Sequence, residues 1–176
     1  MKFIKNEMLS HIGLCCHPAP QKVLVINGEG NLNSEIEKHN VEIVEIKNRQ
    51  IDTLMNKNFD LVVICDMSGV DLDMVFGTLT DKGILLIDTK MRYYENIDEI
   101  KNLLEISSNP FIIGMPYTFE GNVALFCSKK YHPTADIILQ KSDLLEGLEY
   151  YNCDVHLASF ALPTGIKKSI IKVLKH

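Results

Sequence analysis

The sequence predicts an α/β fold: a mostly parallel sheet with helices on both faces and an antiparallel hairpin towards the C-terminal end. Two observations lead there. Apolar, β-branched runs of strand length alternate with segments of helical periodicity, and the last two of these runs flank a turn around Phe119-Glu120-Gly121. At 176 residues the chain has the length of one domain, residues 1–176, with a full hydrophobic core.

Glu7 to Leu14 reads as a short helix. The Pro18-Ala19-Pro20 break stops it and leads into the buried strand Lys22 to Ile26, which runs into a glycine turn at Asn27-Gly28-Glu29-Gly30-Asn31. Asn33 to His39 reads as helical. Val41 to Ile46 alternates apolar residues with Glu42 and Glu45, as in a strand near a sheet edge. Ile51 to Asn56 has room for one or two helical turns. Asp60 to Asp66 is a β-branched run bracketed by acids and reads as the central strand, with Met67-Ser68-Gly69 turning away from it. Asp71 to Leu79 then reads as helix, Gly83 to Asp88 as a buried strand, and Ile97 to Ile106 as an amphipathic helix with Ile97, Ile100, Leu103 and Leu104 at helical spacing. After Pro110, Phe111 to Met115 and Val123 to Cys127 form the hairpin, and Gly165 to Lys175 a closing helix.

Composition removes several classes of function. The formal net charge is −5, and the basic residues Lys167, Lys168, Lys172 and Lys175 are confined to the closing helix, which argues against nucleic acid as a partner. No apolar run approaches the roughly 20 residues of a membrane span, and Met1-Lys2-Phe3 opens no secretory segment, so a cytoplasmic location without a membrane partner is expected. Cys15, Cys16, Cys65, Cys127 and Cys153 lack metal-ligand spacing and read as reduced, small hydrophobic residues; no metal site is expected.

Sheets wound in this way bind ligands beyond the carboxyl ends of their strands, which singles out Gly28, Gly30, Glu45, Asp66 and Asp88. Gly28 and Gly30 permit close backbone approach to a nucleoside, although a tight strand-to-helix turn uses glycine for steric reasons too. Glu45 stands about 15 to 20 residues past the glycines, where a carboxylate accepts hydrogen bonds from ribose hydroxyls; the other reading is that it alternates outward with Glu42. Asp66 is placed to act as a general base or to anchor a cationic substrate. Capping of the following helix is its other role, for which Ser68 stands better, and Asp71 and Asp73 read as first-turn acids that favour the helix dipole.

Specific strings narrow the choice. Glu7-Met8-Leu9-Ser10-His11, followed by His17-Pro18-Ala19-Pro20 and Val23-Leu24-Val25-Ile26, resembles the spermidine synthase pattern E-M-L-x-H, H-P-x-P and V-L-I-I. Tyr150 to Pro163 resembles that family's closing Y-Y-N-x-x-x-H-x-A-x-F-x-L-P. Phe59 to Asp66 is similar to its Y-D-V-I-I-x-D, and Cys127-Ser128-Lys129 to its C/A-S-K strand. The resemblance covers nearly the whole chain and implies a Rossmann-like fold of the nucleoside-dependent methyltransferase type. It also implies aminopropyl transfer from decarboxylated S-adenosylmethionine, as co-substrate, to putrescine or a similar diamine, with methylthioadenosine released and no prosthetic group. On the matching positions, Asp66 falls on the catalytic aspartate and Glu45 on the ribose-binding glutamate. Gly28 and Gly30 fall in the donor-binding loop, and Tyr117, in Pro116-Tyr117-Thr118, falls on the tyrosine lining the amine pocket. A homodimer is compatible with the family.

The departures are equally specific. The family's G-G-G-D-G becomes Asn27-Gly28-Glu29-Gly30-Asn31, so the acid falls on Gly30 and Glu29 stands one residue early. Its D-x-x-D gate becomes Asp66-Met67-Ser68-Gly69, leaving Asp71 as the substitute substrate-binding acid. Its Q-x-E-S becomes Asp88-Thr89-Lys90-Met91, where an inward Lys90 ammonium would oppose a diamine. The tyrosine before E-M-L becomes Lys5. About a dozen residues separate Ile46 from Asp60, too few for the family's additional helix and strand, and the chain begins about where the family's N-terminal β-domain ends, so that domain is expected to be absent. The readings carried forward are an aminopropyltransferase, a non-catalytic family member acting as a binding or subunit protein, and a small S-adenosylmethionine-dependent methyltransferase.

Overall fold

The computed structural model describes residues 2–54 and 58–176. Six strands, β1 (Lys22–Ile26), β2 (Glu42–Ile46), β3 (Phe59–Ile64), β4 (Leu79–Met91), β5 (Ile113–Phe119) and β6 (Asn122–Ser128), form one sheet in the order β2-β1-β3-β4-β6-β5. β1 to β4 are parallel, and β6 runs antiparallel to both β4 and β5. From β1 the chain steps to β2 on one side and then crosses to β3 on the other. The sheet therefore has its topological switch point between β1 and β3, where such folds open a crevice.

Two apolar layers hold the sheet, because alternate residues of each buried strand face opposite ways. Val23, Val25, Leu61, Val63, Ile84 and Leu86 face α1 (Lys2–Leu14) and α2 (Leu32–Glu37). Leu24, Ile26, Val62, Ile64, Leu85 and Ile87 face the opposite layer, which holds the 3-10 segment Asn48–Leu54, α3 (Leu72–Thr78), α4 (Tyr93–Ser108) and α7 (Thr164–Ile170). Two further short helices, α5 (Leu139–Asp143) and α6 (Cys153–Ser159), complete the chain on the α1 side and had no counterpart in the sequence reading.

Helix α1 begins five residues before the expected Glu7, so Lys5 lies within it. β4 is longer than Gly83 to Asp88 because its start pairs Leu79 with Phe59 and its end continues alongside β6 to Met91. The hairpin turns at Glu120 and Gly121, both at positive φ (49° and 79°), a conformation that glycine adopts freely. The closing helix stops at Ile170 rather than Lys175; Lys175 instead exchanges backbone hydrogen bonds with Gly114 on the edge strand β5. Asn56, the expected end of the helical turns after β2, lies outside the described residues. The N-cap of α3 is Asp71, not Ser68: its Oδ1 accepts from the N–H groups of Asp73 and Met74 at 3.0 and 3.3 Å.

Candidate functional site

Strand register places the carboxyl ends of β1, β2, β3 and β4 side by side, with Ile26 opposite both Ile46 and Ile64, and Ile64 opposite Ile87. The residues just beyond, from Asn27 to Gly30, Cys65 to Asp66 and Asp88 to Lys90, therefore converge on one edge. Three adjoining clefts of about 450, 390 and 310 Å³ open there, and Glu29, Asp66, Asp88 and Lys90 recur in their walls.

The glycine turn and Glu45 form one unit. A Cβ on Gly28 would sit 2.8 Å from Glu45 Oε1 and 2.8 Å from Val25 Cγ1, so glycine is required by close approach, whereas Gly30 is required by its φ of +66°. Glu45 Oε2 accepts from Asn33 Nδ2 at 2.9 Å, and Lys47 Nζ lies 3.7 Å from Oε1. Glu45 thus faces the turn, although β2 is the edge strand.

Asp66 is held from several sides. Its carbonyl accepts from Asn27 Nδ2 at 2.9 Å, its Oδ1 from the Ser68 N–H at 2.8 Å, and its Oδ2 from Lys90 Nζ at 2.7 Å. The Lys90 ammonium and, next, the Ser68 hydrogen bonds hold its carboxyl well below the usual carboxylate range. The same bond raises Lys90 above its ordinary value. Lys90 sits at φ +57°, a costly conformation for a lysine, where β4 and β6 lose register between Asp88 and Met91.

The charges continue inward. Lys90 Nζ is 3.6 Å from Glu29 Oε1, and Lys5 Nζ is 3.4 Å from Glu29 Oε2 and 2.7 Å from Asp88 Oδ2. Asp88 is almost fully buried and also accepts the Lys90 N–H at 3.1 Å. Burial works against charge on Lys5, but its bond to Asp88 and the charges of Asp88 and Glu29 outweigh burial and raise its pKa. Glu29 in turn is lowered by Lys5 and Lys90. This alternating chain, Asp66–Lys90–Glu29–Lys5–Asp88, was not assembled from the sequence. Lys90 and Asp88 were visible as the residues after a strand and Lys5 as the residue replacing the tyrosine before E-M-L, but nothing in the sequence joined the three.

Two residues expected to bind substrate have partners within the fold. Asp71 spends its carboxylate on the N-terminal N–H groups of α3. Tyr117 is fully buried: alternation along β5 turns it with Met115 and Phe119 onto the α1 side, its hydroxyl donates to the Met8 carbonyl at 3.5 Å, and its ring packs on Phe119 and Phe160. Among the described residues no group of three His, Cys, Asp or Glu is placed to hold a metal ion, and no helix is long and apolar enough to cross a membrane.

Comparison with known proteins bears on this arrangement. Residues 2–62 match the spermine/spermidine synthase domain family. A polyamine aminopropyltransferase of Helicobacter acinonychis (strain Sheeba) is 26% identical over 206 aligned positions, covering 98% of this chain and 78% of the relative. The crystal structure of spermidine synthase from Thermotoga maritima superposes with a TM-score of 0.82 at 25% identity, covering 97% of this chain and 75% of that one. The chain is similar in sequence to polyamine aminopropyltransferases and in fold to spermidine synthases. A spermidine synthase structure in complex with the transition-state analogue AdoDATO shares the fold at a TM-score of 0.83 and 23% identity. The alignment with the Helicobacter polyamine aminopropyltransferase is longer than this chain itself, so within the aligned region that protein carries segments this chain lacks. The short connection between β2 and β3 is one place where this chain is compact.

The two strings that carry the spermidine synthase resemblance meet in space, and Tyr150, Val155, Ala158 and Ser159 of the closing one line a further cleft that shares Phe119 and Glu120 with the first. Glu7 accepts the N–H groups of Glu149, Tyr150 and Tyr151 at 3.0, 2.9 and 2.7 Å. The Tyr151 hydroxyl bonds His156 Nδ1 at 2.8 Å, and its ring lies 5.0 Å from that of His11. They form a junction between α1 and the segment leading into α6.

Proposed function

We propose that the protein transfers an aminopropyl group from decarboxylated S-adenosylmethionine to a small aliphatic amine of the putrescine type, releasing methylthioadenosine. The observation that carries this reading is the placement of Glu45 against Gly28, with Asp66 beside them at the switch point of the sheet. Glu45 takes the ribose hydroxyls, and Gly28 and Gly30 let the donor approach the backbone. The kinship with polyamine aminopropyltransferases supports this choice over methyl transfer.

Chemically, the amine nitrogen attacks the methylene carbon attached to the sulfonium. A C–N bond forms, the C–S bond breaks with its electron pair going to sulfur, and methylthioadenosine leaves. The nitrogen's surplus proton passes to Asp66 once the acceptor has displaced the Lys90 ammonium, whose bond is the main cause holding that carboxyl below the usual range. The rest of catalysis is alignment of nitrogen, carbon and sulfur, which bound geometry supplies. The acceptor amine competes with Lys90 for Asp66 Oδ2.

The reading is tested by incubating the protein with decarboxylated S-adenosylmethionine and putrescine and measuring methylthioadenosine. Release is expected, with a rate loss of about a hundredfold or more in Asp66→Asn, in line with removal of a positioned base. No release with any small amine would falsify the proposal.

A further inference from the structure

We infer that the cleft at the opposite edge of the sheet from the donor site is a second small-molecule site, one that takes an uncharged ligand. The ligand is recognised by an N–H group set beside a hydrogen-bond acceptor, the edge shared by carboxamides and amino-substituted heterocycles. The inference stands independently of the aminopropyl-transfer reading. The cleft, of about 370 Å³, opens where the segment before β1 meets the starts of β3 and β4, and His17, Asp60, Thr80 and Tyr131 line it together. At its centre is His17, from the His17-Pro18-Ala19-Pro20 string, which has no part in the donor or acceptor site. The ring is 5% exposed, yet neither of its nitrogens has a hydrogen-bond partner among the described residues. A buried polar side chain costs stability until something pairs with it.

The groups around the ring define the ligand's chemistry. Burial, ahead of the opposing pull of Asp60, lowers the pKa of His17, so near neutral pH the ring is uncharged, with one nitrogen donating and the other accepting. Nε2 faces Asp60 Oδ1 at 3.7 Å, beyond hydrogen-bond reach, and that carboxylate favours the proton on this nitrogen. Asp60 Oδ2 is taken by the N–H groups of Gln21 and Lys22 at 2.8 and 3.2 Å, whereas Oδ1 accepts the Thr80 hydroxyl at 3.3 Å and keeps a lone pair for a ligand. A donor on His17 and an acceptor on Asp60 thus stand side by side, and their complement is an acceptor beside an N–H. Charges of both signs surround them. Asp60, Asp81 and Asp136 oppose Lys82, Lys129, Lys130 and Lys141, of which Lys129 and Lys141 hold backbone carbonyls. A charged ligand meets attraction and repulsion together there, and an uncharged one meets neither. Pro18, Ala19 and the Tyr131 ring, whose centroid lies 5.1 Å from that of His17, give a flat ligand an apolar wall.

Benzamide and adenine carry the required edge without charge, while benzoate and benzylamine put a carboxylate or an ammonium in its place, which makes these four the probes. Each is titrated into the full chain near neutral pH by calorimetry, with the histidine ring signals followed by NMR. Benzamide, adenine or both are expected to bind about tenfold or more tighter than benzoate and benzylamine and to shift the His17 ring signals. That affinity should fall about tenfold or more in His17→Phe, which keeps an aromatic ring against Tyr131, and stay unchanged in Glu45→Gln, which alters the donor site instead. Binding by benzamide alone makes the ligand a carboxamide, and binding by adenine alone makes it an amino-substituted heterocycle. Binding of none of the four, equal binding of all four, preference for a charged probe, or an affinity untouched by His17→Phe overturns the inference. If His17→Phe does not fold, the wild-type spectrum decides: uncharged probes that leave the His17 signals in place overturn it. The rate of methylthioadenosine release has no bearing on these outcomes.

Discussion

Glu45 shows how a single side chain can be read two ways and then assigned by its neighbours. On its edge strand Glu45 stays exposed to solvent, yet its Oε1 lies 2.8 Å from where a Cβ on Gly28 would be, and its Oε2 is steadied by Asn33. Hydrogen bonds from neutral donors to a carboxylate are stronger than those to an amide oxygen. Glu45→Gln is therefore expected to weaken methylthioadenosine binding by about tenfold to a hundredfold in a calorimetric titration, with the unfolding midpoint little changed. Gly28→Ala probes the same contact from the other side. Its added methyl meets the flexible end of Glu45 but also Val25 Cγ1, so it is expected to cost about 1 kcal/mol of stability in urea unfolding and to lower affinity as Glu45→Gln does. If Gly28→Ala bound methylthioadenosine as wild type does, the turn would not be holding the carboxylate in its working position.

Elements here are secured by side chains that sequence patterning exposes unevenly. Asp71 caps α3, a helix of seven residues that leads directly into β4, and Asp71→Ala should lower stability by about 1 kcal/mol in urea unfolding. Glu7 secures far more. It is buried, and its two oxygens accept three backbone N–H groups from the segment before α6. Glu7→Ala leaves those donors without their partner and should cost about 3 kcal/mol or more, with Glu7→Gln intermediate because one acceptor oxygen survives. The strands were legible because Val23 to Ile26, Leu61 to Ile64 and Ile84 to Ile87 are buried on both faces and so read as unbroken apolar runs. Helices α5 and α6 were not: they are as short as α2, α3 and α7, but they owe their place to long-range contacts such as Tyr151 to His11 and His156 to Pro133. Glycines, Glu45 and Asp66 were legible because strand ends are fixed by the run that precedes them. The ion pairs of Lys5 were not: the sequence sets it at the position of the family's tyrosine before Glu7-Met8-Leu9, but its partners Glu29 and Asp88 come from two other elements.

Within the layer formed by α1 and α2, a largely buried histidine pair ties the stability of the whole molecule to pH. His11 on α1 and His39, just after α2, share a 2.9 Å contact between Nδ1 and Nε2, and His11 Nε2 lies 3.1 Å from Glu35 Oε2. With His11 Nε2–H donating to Glu35, its Nδ1 is left to accept from His39 Nε2–H, so both rings are satisfied as neutral tautomers. Burial, ahead of nearby positive charge, pushes each imidazole down to about 3. The unfolded chain binds these protons near the ordinary value of about 6.5. Between those values the unfolded state carries more protons than the native one, so stability rises with pH from about 3 to about 6.5 and levels off above. His156, pushed down to about 4 by burial, adds to the same trend. Paired carboxylates such as Asp66 give up their contribution only at lower pH, because their unfolded values lie near 3.9. Urea midpoints measured between pH 5 and 7.5 should therefore report the histidines. They are expected to fall steadily below pH 6.5 in the wild type, and His39→Asn should reduce that slope by up to one proton, or about 1.4 kcal/mol per pH unit. A wild-type midpoint that stays level from pH 7.5 to 5 would mean that the cluster accepts protons without opening, and that α1 and α2 are not joined by neutral imidazoles.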